Sequence, residues 1–308
     1  MDSLFLNRRI AQFLAVYETQ NIHRASERLG ITQPALTVSL KNLEDELGQP
    51  LFERSVKGMA PLPAADALYR FGTALRQGGR LASDEMRMQR GDAGGTLRIG
   101  AGVAWAATLL PGTLREMHRQ FPDLSFDLIS GVGDQLAARL ADGELDVVVA
   151  AGSIARLLSD GFEQQHVVNL PMKVVADPAS PLGQKRCISA ADMVSTPWVG
   201  FYEDDIIVQQ SRHFMALRGL PPPRFVMRSN SPATLTAFIK GSDFISVLIG
   251  PLVAPAIEAG LVELELEDPL WELPVNLYNR AFAESYSPLK AFKALCVERI
   301  RAFDPAPR

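Results

Sequence analysis

Gln33, Thr37 and Lys41 recur every four residues in the segment "QPALTVSLKNLEDELG", so any helix it forms carries them on one side, with Pro34 and Val38 beside them. Leu36, Leu40, Leu43 and Leu47 keep the opposite side at steps of four, three and four. An amide, a hydroxyl and an ammonium in a row suit a DNA duplex. Glutamine pairs with an adenine edge, threonine reaches a phosphate or a thymine methyl, and lysine suits a phosphate. Arg24 and Arg28, just upstream, are placed for phosphates as well. The same spacing also fits a three-helix unit that docks on another protein and leaves a merely solvated polar face.

Positioning these groups takes a helix that starts just before Pro34, because proline is tolerated in a first turn and not in a helix interior. Thr32 then takes the N-cap position, next to the candidate DNA-facing residues. Ala25 and Leu29 share the face of a preceding helix that stops at Gly30, leaving three residues for a sharp turn. That is helix-turn-helix spacing. Leu4, Ile10, Phe13, Leu14 and Tyr17 give an earlier helix that closes the unit. Downstream, Leu51 and Phe52 anchor "SVKGM", which reads as a small hairpin carrying Arg54 and Lys57 towards phosphates or the minor groove. From Pro63 a long helix follows with the apolar stripe Leu68, Phe71, Leu75, Leu81 and Met88, as a partner helix requires, and with a bend expected at Gly78–Gly79.

The words "RASERLGITQPALT", "LEDELGQPLFER" and "KGMAPLPAA" together resemble the N-terminal signature of the LysR-type transcriptional regulators and cover most of the first 65 residues. The resemblance implies that Gln33, Pro34, Thr37 and Lys41 approach double-stranded DNA, backed by Arg54 on the wing. It implies a homodimer or homotetramer, contact with RNA polymerase and control by a small molecule. Val38 stands where the family commonly has arginine, which removes one phosphate or base contact. Leu62 and Ala65 replace the usual threonine and glycine where the linker helix starts.

Composition bounds the rest. With 308 residues, 47% of them hydrophobic, the chain can build about two ordinary domains, and no apolar run is long enough to span a bilayer. The start "MDSLFLNRRIAQFL" reads as no signal peptide, and Cys187 and Cys296, without metal-ligand spacing, read as ordinary thiols of a reducing cytoplasm. Residues 1–90 hold 12 Lys and Arg against 10 Asp and Glu, while the whole chain carries a net charge of −4. DNA contact must therefore come from local patterning.

From Gly94 onward the texture alternates. "TLRIGAG", "LSFDLIS", "DVVVAAG", "KVVAD", "PWVGF", "RFVMRS" and "FISVLI" read as strands, interspersed with helices such as "DQLAARLADGEL" and "SPATLTAFIKG". The alternation predicts parallel βαβ units. The expected fold is thus α/β overall: a winged helix-turn-helix over 1–62, a linker helix over 63–91, and two α/β lobes over 92–308. Lobe I takes about 92–163 and 268–308, and lobe II about 164–267. The chain is expected to cross near Gln164–Asn169, to return near Leu261–Leu266 and to end in a helix over Leu289–Phe303.

Ligands of open α/β sheets bind outside the carboxyl ends of the strands. That places Gly102, Val103 and Trp105 after the first strand, Gly131 and Val132 after the second, and Phe201, Ser229, Asn230 and Ser231 on the other lobe around a cleft. Ser231 before Pro232 either caps its helix or leaves N–H groups for an anion. Asp243 either recognises a cationic or hydroxyl group near the cleft or is solvent-exposed. The alanines and valine around Trp105 suggest an effector held by apolar or aromatic contact, with organic acids and aromatics as the classes to consider. "AADMVSTPWVGF" and "SPATLTAFIKGSDFISVLIGPLVAPAIEAGLVEL" are similar to the effector-binding domain of the same family, which in turn resembles periplasmic solute-binding proteins. No metal site, cofactor motif or catalytic constellation is legible, and His23, His118, His166 and His213 are scattered. A two-lobed sensor whose N-terminal helices dock a protein is the alternative to a regulator.

Overall fold

A leucine at every third or fourth position makes a helix with one dry side. The computed structural model, which describes residues 8–55, 58–92, 94–158, 161–201 and 205–303, contains that helix as α3 (Gln33–Leu47). It packs with α1 (Arg8–Thr19) and α2 (Ile22–Leu29) over a core of Phe13, Leu14, Val16, Ala25, Leu36, Leu40 and Leu43. Leu47, at the end of the stripe, is exposed instead, and Leu4 lies outside the described residues. Gly30 ends α2 in the left-handed region (φ 65°), so α3 can turn away. Asn21 caps α2, its Oδ1 accepting from the N–H groups of His23 (2.9 Å) and Arg24 (3.1 Å). Thr32 occupies the N-cap position of α3 but makes no capping hydrogen bond with its side chain.

Strands β1 (Phe52–Ser55) and β2 (Gly58–Pro61) form the antiparallel wing. Its root is tied to α3, because Glu44 Oε1 accepts from the N–H groups of Leu51 (2.8 Å) and Phe52 (3.3 Å). Helix α4 (Pro63–Gln89) then runs 27 residues without interruption, against the expected bend. Gly78 faces the Phe282 ring, where a Cβ would sit at ordinary contact distance (3.5 Å), while a Cβ on Gly72 would press on Leu14 at 3.0 Å. Tyr17 and Tyr69 stack at 4.0 Å and join α1 to α4, while Tyr17 Oη donates to Asp66 (2.7 Å). Burial, with that bond, pushes the Tyr17 hydroxyl up to about 12.

The remaining strands form a nine-stranded mixed sheet ordered β4-β3-β5-β11-β6-β9-β7-β8, with β10 paired to β6. Parallel strands β3 (Thr96–Ala101), β4 (Ser125–Ser130) and β5 (Val147–Ala151), with α5 (Val103–Ala107), α6 (Leu110–Gln120) and α7 (Gly133–Ala141), make lobe I. Parallel strands β7 (Trp198–Phe201), β8 (Phe225–Ser229) and β9 (Ile245–Ile249), with α8 (Asp205–Ala216), α9 (Pro232–Ile239) and α10 (Gly250–Glu258), make lobe II. Two antiparallel strands cross between them, β6 (Phe162–Ala176) and β11 (Glu272–Arg280). The return therefore lies in β11, later than the Leu261–Leu266 of the sequence reading. There β10 (Val262–Leu264) still pairs with β6 in lobe II. Helix α11 (Ser287–Arg301) packs on α6 and β6. The segment after β3 is the short helix α5.

Candidate nucleic-acid interface and ligand cleft

With Leu36, Leu40 and Leu43 buried, α3 has one outward face left. Gln33, Pro34 and Lys41 are exposed on it, Val38 is 60% exposed, and Thr37 is half-buried. The Thr37 hydroxyl donates to Gln33 O (3.0 Å), which holds its methyl and oxygen in one rotamer. Arg24 is exposed on α2. Arg28 is also on α2, but its Nη1 is bound to Glu18 at 2.6 Å. Arg54 falls on β1 opposite Met59, and Lys57 lies outside the described residues. Thr32 is exposed at the head of α3.

Helix α4 is two-sided. Ala65, Gly72, Thr73, Gln77, Leu81 and Asp84 are buried, whereas Phe71 and Leu75 are 71% and 55% exposed. The two apolar residues that the expected stripe shares with a partner thus face solvent. On the buried side, Ala65 and Gly72 pack on the DNA-binding unit, while Thr73, Gln77, Leu81 and Asp84 dock on lobe I. Asp146, fully buried, accepts from Gln77 Nε2 (2.9 Å) and from Arg98 N (3.0 Å) and pairs with Arg80. Arg80 also donates to Thr96 O (3.0 Å).

Between the lobes lies a cavity of about 660 Å³ at the carboxyl ends of the strands. That is the size range of small-molecule sites, roughly 300–1,000 Å³. Gly102, Val103, Trp105, Gly131, Val132, Phe201 and Asn230 line it. Ser229 and Ser231 do not. Ser231 Oγ accepts from Thr234 N (3.2 Å), and Ser229 Oγ accepts from Ser231 N (3.1 Å), so both close the head of α9. Trp105 offers little surface: it is 1% exposed and packs edge-on to Phe303 at 6.5 Å. Asp243 is exposed at the turn before β9, the end away from the cavity.

Other lining residues escaped the sequence reading. Gly152, Ser153 and Ile154 follow β5, and the rule that selected Gly102 and Gly131 would have found them. Tyr278 Oη (3.2 Å, to Ile154 N) and Asn276 Nδ2 (3.1 Å, to Gly152 O) hold this loop from β11. Leu273 had no such signal, because β11 was not legible. Gln135 and Asp134 line the cavity from the first turn of α7, and Asp134 is the charged side chain among the described lining residues. Among the described residues, no three His, Cys, Asp or Glu are grouped to hold a metal ion, and no helix is long and apolar enough to cross a membrane.

Residues 90–301 match the LysR substrate binding domain, and residues 7–66 match the bacterial regulatory helix-turn-helix protein of the lysR family. The chain belongs to the LysR family. This LysR-type protein is therefore a DNA-binding transcriptional regulator with an effector-binding domain. It is 28% identical over 242 residues to the regulator GbpR of Azospirillum brasilense, covering 78% of this chain and 70% of that one. The dual regulator OxyR of Escherichia coli (strain K12) is 27% identical over 298 residues, 96% of this chain and 94% of that one. Among solved structures, a full-length OxyR variant from Pseudomonas aeruginosa aligns at a TM-score of 0.66 with 20% identity, covering 95% of this chain and 93% of that one. Full-length BenM aligns at 0.55 with 21% identity, covering 96% of each. These two likenesses speak for the fold of the LysR-type regulator. Its curated relatives are regulators rather than enzymes.

Proposed function

We propose that the outward face of α3 enters the major groove of an operator, with Gln33 and Thr37 at base edges or the thymine methyl and Lys41 on a phosphate. The observation that carries this reading is the division of α3 into a buried leucine side and an exposed Gln33–Lys41 side on a winged unit. Arg24 adds a phosphate contact, and Arg54 and Lys57 act from the wing. Arg28 contributes less, because its guanidinium already serves Glu18. Two copies pair through the Phe71 and Leu75 side of α4, which matches two half-sites on DNA. The regulator works in the cytoplasm and acts on RNA polymerase from its operator.

The cleft takes one small molecule that is apolar or aromatic rather than an organic acid. Its walls include Val103, Val132, Phe201, Ile207, Ile249 and Leu252, and none of the described lining residues is Lys or Arg. A carboxylate would lose its hydration there without gaining a cationic partner.

Anisotropy titration of the full-length protein on operator DNA tests the main claim. Lys41→Ala should weaken binding and reduce the slope of log affinity against log salt by about one, the loss of one phosphate contact. Arg28→Ala should change that slope less. An unchanged affinity and slope for Lys41→Ala would remove α3 from the interface.

A further inference from the structure

We propose that α7 is the rod that carries cleft occupancy to the DNA-binding unit, with Arg76 as the coupling that passes its movement to α1. The proposal rests on the cleft being the effector site. One end of α7 is in the cavity: Val132, Gly133, Asp134 and Gln135 line it. The other end, about 13 Å away for nine helical residues, meets α4. There the carbonyls that a helix C-terminus leaves unsatisfied are taken by donors from outside the helix. Ala141 O accepts from Arg280 Nη2 (2.5 Å) and lies 3.3 Å from Thr73 Oγ1, whose one hydrogen also has Arg70 O at 3.0 Å, and Asp142 O accepts from Arg76 Nη2 (3.3 Å).

Arg76 has two prongs, and the second points at the DNA-binding unit. Its Nη1 donates to Glu18 Oε1 (2.6 Å) at the end of α1, while Glu18 Oε2 accepts from Arg28 on α2 (2.6 Å). A planar guanidinium held at both edges fixes the distance between its two partners. The path cleft–α7–Arg76–Glu18–Arg28 therefore ends on the helix that precedes α3. Glu18 is only 19% exposed in its side chain and Arg76 33%, so water competes less here than at an open surface pair.

The lobe hinge feeds the same point. Arg280 ends the crossing strand β11, and its guanidinium lies 5.0 Å from the ring centroid of Phe162, the first residue of the crossing strand β6. Flexing of the crossing strands on lobe closure thus bears on Ala141 O directly. By contrast, Gln77 and Arg80 tie α4 to Asp146 and Thr96 at the starts of β5 and β3, within the sheet. Those contacts form the fulcrum, and α7 supplies the displacement. The inner face of α7 (Leu136, Ala137 and Leu140) is buried in one apolar cluster with Val148, Ile154 and Tyr278.

The test needs neither operator nor effector, so its failure is distinct from failure of the regulatory reading. Ser153→Trp places an indole in the cavity of the full-length protein, and amide exchange is followed across α1 and α2 by mass spectrometry. Rates there should shift about fivefold or more, the scale of ordinary coupling between sites. The shift should collapse when Arg76→Met is added. If Ser153→Trp does not fold by circular dichroism, Gln209→Trp fills the cavity from lobe II and gives the same readout. No shift in α1 and α2, or an equal shift with and without Arg76, would overturn the relay.

Discussion

Ser231 allows two readings from the sequence, and the structure keeps one. A serine before a proline at a helix start serves as a cap or leaves N–H groups for an anion. Here its oxygen accepts from Thr234 N, and it does not line the cavity. Ser231→Ala should therefore cost about 1 kcal/mol of stability, the usual loss of a cap, in urea unfolding. Calorimetry should find ligand affinity in the cleft unchanged, and a weakened affinity would restore the anion role. Trp105 was legible as a bulky residue in a strand-end segment, but not as one whose ring faces inward onto Phe303, 198 residues later in the chain. Arg28 was legible as a cation on the right helix, but its Glu18 partner comes from another helix, and periodicity along α2 carries no sign of it. Cys296 is fully buried on α11, and burial pushes its thiol up, as expected of an inert structural cysteine.

Elements with one strong period were readable. Helix α3 combined a leucine stripe with an early proline and a terminal glycine, and β5 was a continuous apolar run. The crossing strands were harder. β6 contains Pro171 and the polar run Glu163–Gln165, and β11 contains Pro274 next to a register shift at Val275 and Asn276. Proline inside a run argues against a strand from sequence alone. Both strands exist because tertiary pairing between the lobes outweighs local preference. Helix α4 gave a mixed result. Its Phe71 and Leu75 are exposed, while the side facing lobe I uses Thr73, Gln77 and Asp84, which no apolar stripe reveals. If the exposed side is the pairing surface, Leu75→Glu should shift the full-length protein to monomer in sedimentation velocity and keep its helix content. A sedimentation coefficient unchanged from wild type would move the interface elsewhere.

For the whole molecule, order along the chain was the readable part. A basic-leaning helical unit, a long helix and an alternating α/β region follow one another, and each has its own texture. The contacts between them were not readable. The Asp146–Arg80–Gln77 cluster and the Thr73–Ala141 contact join residues that lie 66 to 69 positions apart. Composition predicts no such pairing, yet these contacts are what tie α4 to lobe I. On the proposed function, the molecule presents Gln33 to Lys41 to specific DNA under ligand control. Selection of fragmented genomic DNA by the purified full-length protein, run beside the Gln33→Ala, Thr37→Ala, Lys41→Ala triple variant, tests it most directly. Wild type should enrich a small set of fragments that share a two-fold related sequence, and the folded triple variant should enrich none of them. Recovery of the same fragments by both proteins, or of no common sequence by wild type, would mean that the Gln33–Lys41 face does not read DNA.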